Sequence, residues 1–138
     1  MSQGAELGGW ALFVKDGRAH YVHNVLRIEY PELISAGLLP IGEETAIRLE
    51  YEPLEQGWGR AALLVDGTTV ATHERMRIAP MGYSMVQEGF AVGRNWATPV
   101  SSSHYEGEFA FTGALRVVEL ETDPESQVWT PRGEWSMV

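Results

Sequence analysis

The chain has 138 residues, 44% of them hydrophobic, which suits one domain with a sizeable core. Its formal net charge of −9 disfavours nucleic acid and anionic membranes as partners, because both are bound through Lys and Arg. Cysteine is absent, which excludes disulfides, thiolate metal sites and a cysteine nucleophile. No stretch approaches the ~20 apolar residues of a membrane span, and the N-terminus lacks the pattern of a signal peptide. We therefore expect a cytoplasmic protein.

A first β-hairpin is predicted from residues 10–15 and 18–28, which read as strands on either side of Asp16-Gly17. Asp-Gly between two such runs is typical of a two-residue type I′ turn, in which both central residues have positive φ. A turn of this length fixes the register of the two strands. The predicted pairs are Lys15 with Arg18, Val14 with Ala19, Leu12 with Tyr21, and Trp10 with His23.

The middle of the chain predicts a connection at residues 31–42, a strand at 45–52 and a loop at 53–59. Residues 45–52 alternate between apolar and charged side chains, so one face of that strand should be buried and the other wet. A second hairpin follows, with Asp66-Gly67 between residues 60–65 and 68–75. Its register would pair Val65 with Thr68 and Leu63 with Val70.

The last third predicts a short strand at residues 90–94, a long loop at 95–108 and a final strand at 109–122. Residues 123–138 form an acidic and aromatic tail outside the domain, which we assign to residues 1–122. Strands joined by tight turns, with no convincing amphipathic helix, favour an all-β antiparallel sandwich or barrel. The predicted core is Trp10, Leu12, Tyr21, Ile47, Leu49, Leu63, Val65, Leu115 and Val117.

Few residues suggest catalysis or metal binding. His20 and His23 are three apart on a strand, so they point to opposite faces and do not suit one metal ion. His104 and Glu106 form a weak acid-base or metal pair. Ser101, Ser102 and Ser103 precede His104 directly, which suggests a hydrolase, but a triad also needs an orienting acid and the chain has no Gly-x-Ser-x-Gly elbow. We expect no metal and no cofactor.

Loop aromatics are the best candidates for ligand binding. Trp58, Trp96 and Tyr105 lie in predicted loops, where their rings could stack on a sugar or anchor a partner protein. The alternative is that these rings cap the ends of the sandwich. Trp129 and Trp135, in the tail, are further candidates for anchoring a partner protein.

Several short motifs resemble the C-terminal region of bacterial arylsulfatases. They are residues 8–17, 64–67, 92–94, 98–101 and 111–113, and their order and spacing also match over residues 8–121. The resemblance implies a jelly-roll sandwich of the concanavalin A-like or laminin-G-like type. Sulfatase chemistry needs a Cys or Ser in a Cys/Ser-x-Pro-x-Arg motif, which this chain lacks. The resemblance therefore implies a non-catalytic accessory or interaction module and not an enzyme.

One departure from that family concerns the start of the domain. Further strands precede the Gly-Gly-Trp in arylsulfatases, whereas only residues 1–7 precede it here. The chain thus resembles an excised domain or a stand-alone relative without the usual first strand, and a sheet edge would be uncovered. Such an edge favours a homodimer or contact with a sulfatase-type catalytic domain. The alternative is that residues 1–7 or the tail fold back over the edge. Two other functions stay open: a carbohydrate-binding module of the same fold, and a small hydrolase on a β-sandwich.

Overall fold

The computed structural model describes residues 1–55, 57–78, 89–95 and 98–121. Within these ranges the chain is all-β and contains no helix, and accordingly none that is long and apolar enough to span a membrane. Two antiparallel sheets are present, a five-stranded one of order β4-β3-β2-β1-β8 and a three-stranded one of order β5-β6-β7. The strands are β1 (Ser2–Ala5), β2 (Gly8–Lys15), β3 (Arg18–Asn24), β4 (Glu32–Ile34), β5 (Ile47–Glu55), β6 (Trp58–Val65), β7 (Thr68–Arg77) and β8 (Phe90–Ala91).

Both predicted Asp-Gly hairpins are confirmed. Asp16 and Gly17 have φ values of 51° and 72°, and Asp66 and Gly67 have 48° and 77°. These are the positive values that a type I′ turn requires. Between β2 and β3 every predicted pair is found, from Lys15 with Arg18 to Trp10 with His23.

The hairpin of β6 and β7 departs from its predicted register. Val65 faces Thr68 as expected, but Leu63 faces Ala71 and not Val70. A β-bulge beside Leu63 adds one residue to β7, and such an insertion changes which residues oppose each other.

Residues 2–5 form β1 and pair with β2, as the fold-back alternative for residues 1–7 predicted, and β1 is paired in turn with β8. Gly4 faces Gly9 in the β1–β2 ladder, and both have positive φ. A Cβ on Gly9 would lie inside van der Waals contact with the carbonyl oxygen of Gln3. Glycine at this position is therefore what allows the two backbones to approach so closely.

The main core lies between the two sheets. Its buried members come from β2, β3 and β4 on one side and from β6 and β7 on the other, and they are Leu12, Ala19, Tyr21, Leu33, Ala61, Leu63 and Met76. Four further predicted core residues are only partly buried but pack against this cluster, namely Trp10, Ile47, Leu49 and Val65.

The five-stranded sheet is also covered on its other face. Ala11 and Val22 are buried there beneath Val100 and Tyr105, which belong to the loop that follows β8. Phe13 packs against the same cluster. This covering explains why the first hairpin is apolar on both faces, because a strand buried on both sides needs no polar face.

The predicted final strand is wrong. Residues 109–121 belong to no strand, although the described part of the chain includes all of them, and Thr122 lies outside it. Leu115 and Val117, predicted to be buried, are 51% and 65% exposed. Alternating apolar residues show that a segment could be a strand, but they do not supply a neighbouring strand to pair with.

Other strand boundaries also differ from prediction. β3 ends at Asn24 and not at Ile28, because Leu26 and Arg27 adopt positive φ in a turn. β5 continues to Glu55 through the predicted loop, and Trp58 begins β6. The strand predicted at residues 90–94 is limited to Phe90–Ala91.

Candidate functional site

A serine, a histidine and a glutamate are joined by hydrogen bonds on the outer face of the five-stranded sheet. The Oγ of Ser101 lies 2.7 Å from Nδ1 of His104, and the Nε2 of His104 is hydrogen-bonded to a carboxylate oxygen of Glu32. Ser103 extends the array, since its Oγ lies 3.0 Å from Ser101 Oγ and 3.2 Å from His104 Nδ1. The three residue types, a serine, a histidine and a carboxylate, are those that a hydrolytic triad combines.

The array is held in place by the loop that carries its serines and histidine. The amide nitrogens of His104 and Tyr105 both donate to the carbonyl of Ser101, which closes a tight turn. That turn brings the Ser101 hydroxyl back against the imidazole three residues later. Lys15 Nζ, at the end of β2, donates to the His104 carbonyl at 2.6 Å and ties the turn to the sheet.

Buried contacts anchor the rest of this loop. Tyr105 is 6% exposed and packs edge-on against Phe13 with ring centroids 5.1 Å apart. Its hydroxyl accepts a hydrogen bond from the Val100 amide, and burial raises the pKa of Tyr105 despite that bond. Asn24 Nδ2, fully buried, donates to the Val100 carbonyl at 2.8 Å. The loop is therefore a fixed part of the structure on which the array is carried.

Access differs sharply within the array. Ser101 is 1% exposed, whereas Ser103 is exposed. The side chains of His104 and Glu32 are 18% and 44% exposed. Ser103 therefore faces solvent, and Ser101 lies behind it.

A second histidine lies near this array. The ring of His20 stacks on Phe13 with centroids 5.1 Å apart, and burial is the main cause that lowers the pKa of His20. The nearby His104 lowers it further, while the Lys15 carbonyl and Glu32 act in the opposite direction. Among the residues that the structure describes, no group of three or more His, Asp and Glu side chains is arranged to hold a metal ion.

The predicted ligand-binding aromatics are not brought together. Trp58 begins β6 in the three-stranded sheet, where the guanidinium of Arg75 lies 4.6 Å from its ring centroid and that of Arg77 lies 5.5 Å away. Tyr105 is buried on the outer face of the other sheet. Trp96, Trp129 and Trp135 lie outside the described residues. Ligand binding by these rings stays a prediction.

Glu32 is the member of the array that the sequence did not indicate. Glu106, the acid predicted to accompany His104, is exposed, and His104 is bonded to Glu32, 72 positions earlier in the chain. No spacing rule connects residues so far apart, because the pairing depends on how the loop folds over β4.

The described residues together form an all-β fold of two antiparallel sheets, with a hydrogen-bonded Ser-His-Glu array on one outer face. No protein-family model matches the chain, and no curated protein or solved structure matches it.

Proposed function

We propose that the chain is an interaction module without sulfatase chemistry, a jelly-roll sandwich resembling the C-terminal domain of arylsulfatases, and that it pairs with a second copy of itself. The observation that carries the proposal is the 109–121 segment, which belongs to no strand. Its apolar side chains are exposed, among them Leu115, Val117, Val118 and Leu120. A run of exposed apolar side chains is typical of a surface that another chain covers.

The backbone of the segment supports the same conclusion. Phe111 donates its amide hydrogen to the Gly93 carbonyl at 2.7 Å, but residues 112–121 take part in no backbone ladder among the described residues. The outer edge of β5 is likewise without a neighbouring strand in that part of the chain. A segment outside any ladder and a sheet edge without a neighbouring strand can pair between two copies. The 109–121 segment of each copy would then lie beside β5 of the other, and two-fold symmetry makes the two contacts equivalent.

Charge complementarity favours β5 as the receiving edge. Arg116 NH1 lies 2.9 Å from both carboxylate oxygens of Glu44, just before β5, and Arg48 in β5 lies 3.9 Å from Glu121. The segment therefore matches the charges along β5 within one chain. Exchange between copies would keep the same ion pairs and bury apolar side chains that are now exposed.

Carbohydrate binding has weaker support. Tyr105 is buried, and the ring of Trp58 has an arginine guanidinium over it. A sugar would have to displace that guanidinium in order to stack on the ring.

Sedimentation equilibrium at micromolar concentrations tests the pairing. We expect a species of twice the 15.3 kDa chain mass, and we expect Leu115→Asp with Leu120→Asp to shift it to the monomer. Ile41→Asp is the matched control, because Ile41 is also an exposed apolar residue but lies outside the segment. A monomer throughout, or a dimer that the segment variant does not weaken, would overturn the proposal.

A further inference from the structure

We propose that Ser103, His104 and Glu32 form an acyl-transfer site that hydrolyses small carboxylic esters, an activity separate from pairing between copies. The chemistry-bearing groups are within the range required for proton transfer. Ser103 Oγ lies 3.2 Å from His104 Nδ1, and a nucleophile and its base must approach within about 2.6–3.2 Å. The other ring nitrogen of His104, Nε2, is hydrogen-bonded to the carboxylate of Glu32.

The carboxylate determines which nitrogen of His104 can act as the base. A carboxylate accepts hydrogen bonds and does not donate them, so the Nε2–H of His104 donates to Glu32. In the neutral imidazole this leaves Nδ1 without a proton, facing the two serine hydroxyls. Glu32 is therefore a positioning residue, since it fixes the tautomer and orientation of the ring.

Exposure identifies the nucleophile. Ser101 is closer to Nδ1, at 2.7 Å, but it is 1% exposed and a substrate carbonyl could not reach it. Ser103 is exposed and bonded to the same nitrogen. The Ser101 hydroxyl lies 3.0 Å from Ser103 Oγ, within hydrogen-bonding distance, and so helps to hold the Ser103 side chain beside His104.

The proposed reaction has two steps, acylation of Ser103 and hydrolysis of the acyl-serine. Ser103 Oγ attacks the ester carbonyl carbon, its proton passes to His104 Nδ1, and the bond to the alcohol oxygen breaks as that oxygen takes the proton from Nδ1. Water then attacks the acyl-serine and gives its proton to Nδ1, which returns it to Ser103 Oγ as the carboxylic acid leaves.

The neighbourhood of the site indicates the class of ester. The ring of Phe13 lies 6.2 Å from that of His104, and Phe109, 38% exposed, lies 5.9 Å from Phe13. These rings offer an apolar surface beside the histidine. Ser102 and Ser103 are exposed, so the nucleophile is open to solvent. Short esters with an apolar or aromatic group fit such an open site.

Two probes test the proposal. A fluorophosphonate should phosphonylate Ser103 with loss of fluoride, located by peptide mass spectrometry, and p-nitrophenyl acetate should release nitrophenol in proportion to the chain. We expect Ser103→Ala to lower both rates by about a hundredfold or more, as loss of a nucleophile with its base implies. Ser102→Ala is the matched control, because Ser102 is an exposed neighbour, whereas the described hydrogen bonds to His104 Nδ1 come from Ser101 and Ser103.

Glu32→Gln tests whether Glu32 orients the ring of His104 or only stabilises the fold. An amide can donate to Nε2 and so reverse the tautomer, and we expect the labelling rate to fall by about tenfold or more while the melting temperature is kept. Absence of labelling, labelling that survives Ser103→Ala, or an unchanged rate in Glu32→Gln would overturn the proposal. None of these variants lies in the 109–121 segment, so the oligomeric state reports on pairing independently.

Discussion

The hydroxyl of Tyr21 lies 3.1 Å from Nδ1 of His23, and both side chains are buried in the five-stranded sheet. They are two residues apart on β3, so they share the face that looks into the core. Burial lowers the pKa of His23 from 6.5 to about 4, because the interior disfavours the charged imidazolium.

The buried imidazole should make folding stability depend on pH. Between pH 6.5 and about 4 the unfolded chain binds a proton at His23 and the folded chain does not, so stability is lost as the pH falls through this window. The full effect is about 3 kcal/mol. We expect the difference in unfolding free energy between the native chain and His23→Gln to shrink or reverse from pH 7 to pH 4.5 in urea titrations. A constant difference would contradict the low pKa.

Asn24 connects three parts of the chain through a fully buried side chain. Its Nδ2 donates to the carbonyls of Glu6 and Val100 at 2.8 Å, and its Oδ1 accepts from the Arg27 amide at 2.8 Å. Removing it leaves buried groups without partners, so Asn24→Ala should cost about 1–3 kcal/mol or more in chemical denaturation. A change below about 0.5 kcal/mol would show that water replaces the amide there.

Two leucines test where the core lies. Leu63 is fully buried between the sheets, whereas Leu115 is 51% exposed on the 109–121 segment. Leu63→Ala should lower the unfolding free energy by about 2–5 kcal/mol. Leu115→Ala, measured at concentrations where the chain is a monomer, should change it by less than about 0.5 kcal/mol. Equal losses would mean that residue 115 is buried in a closed sandwich after all.

Gly9 tests the pairing of β1 with β2. A Cβ there would collide with the Gln3 backbone, and its φ of +145° is one that L side chains rarely adopt. Gly9→Ala should therefore destabilise the fold by about 1–3 kcal/mol. Gly37→Ala is the control, since nothing lies within 4 Å of its Cβ position, and it should be neutral or slightly stabilising. Similar melting temperatures for the two variants would contradict the observed β1 register.

The hairpins could be predicted because their information is local. Asp-Gly selects the turn, the turn selects the register, and apolar alternation selects the face. The bulge beside Leu63 could not be foreseen, since no turn residue marks it. The 109–121 segment shows what local information cannot predict. Its alternating apolar residues are typical of a strand, but forming a strand also requires a neighbouring strand, elsewhere in the chain or in another copy.

The candidate site was predictable only in part. Ser101, Ser103 and His104 are close in sequence, so the sequence alone suggested that they interact. It did not indicate which carboxylate would contact the histidine ring. Glu32 supplies this carboxylate because β4 lies beside β3 at the edge where the loop folds over the sheet. Contacts of this kind follow from tertiary structure and leave no local pattern.

The strand order of the larger sheet has a consequence for the folding pathway. β5, β6 and β7 are consecutive in the chain and each pairs with the next, so the smaller sheet can form from contacts close in sequence. The pairing of Ser2 with Ala91 instead closes a loop of roughly two thirds of the chain, which is entropically costly and slow. We expect the amides of β6 to gain protection early in pulsed hydrogen exchange and those of β8 to gain it last, because β1 also pairs with β2 close in sequence. The chain would then spend its folding time with β1, β2 and β3 paired and the β1–β8 end of the larger sheet still open.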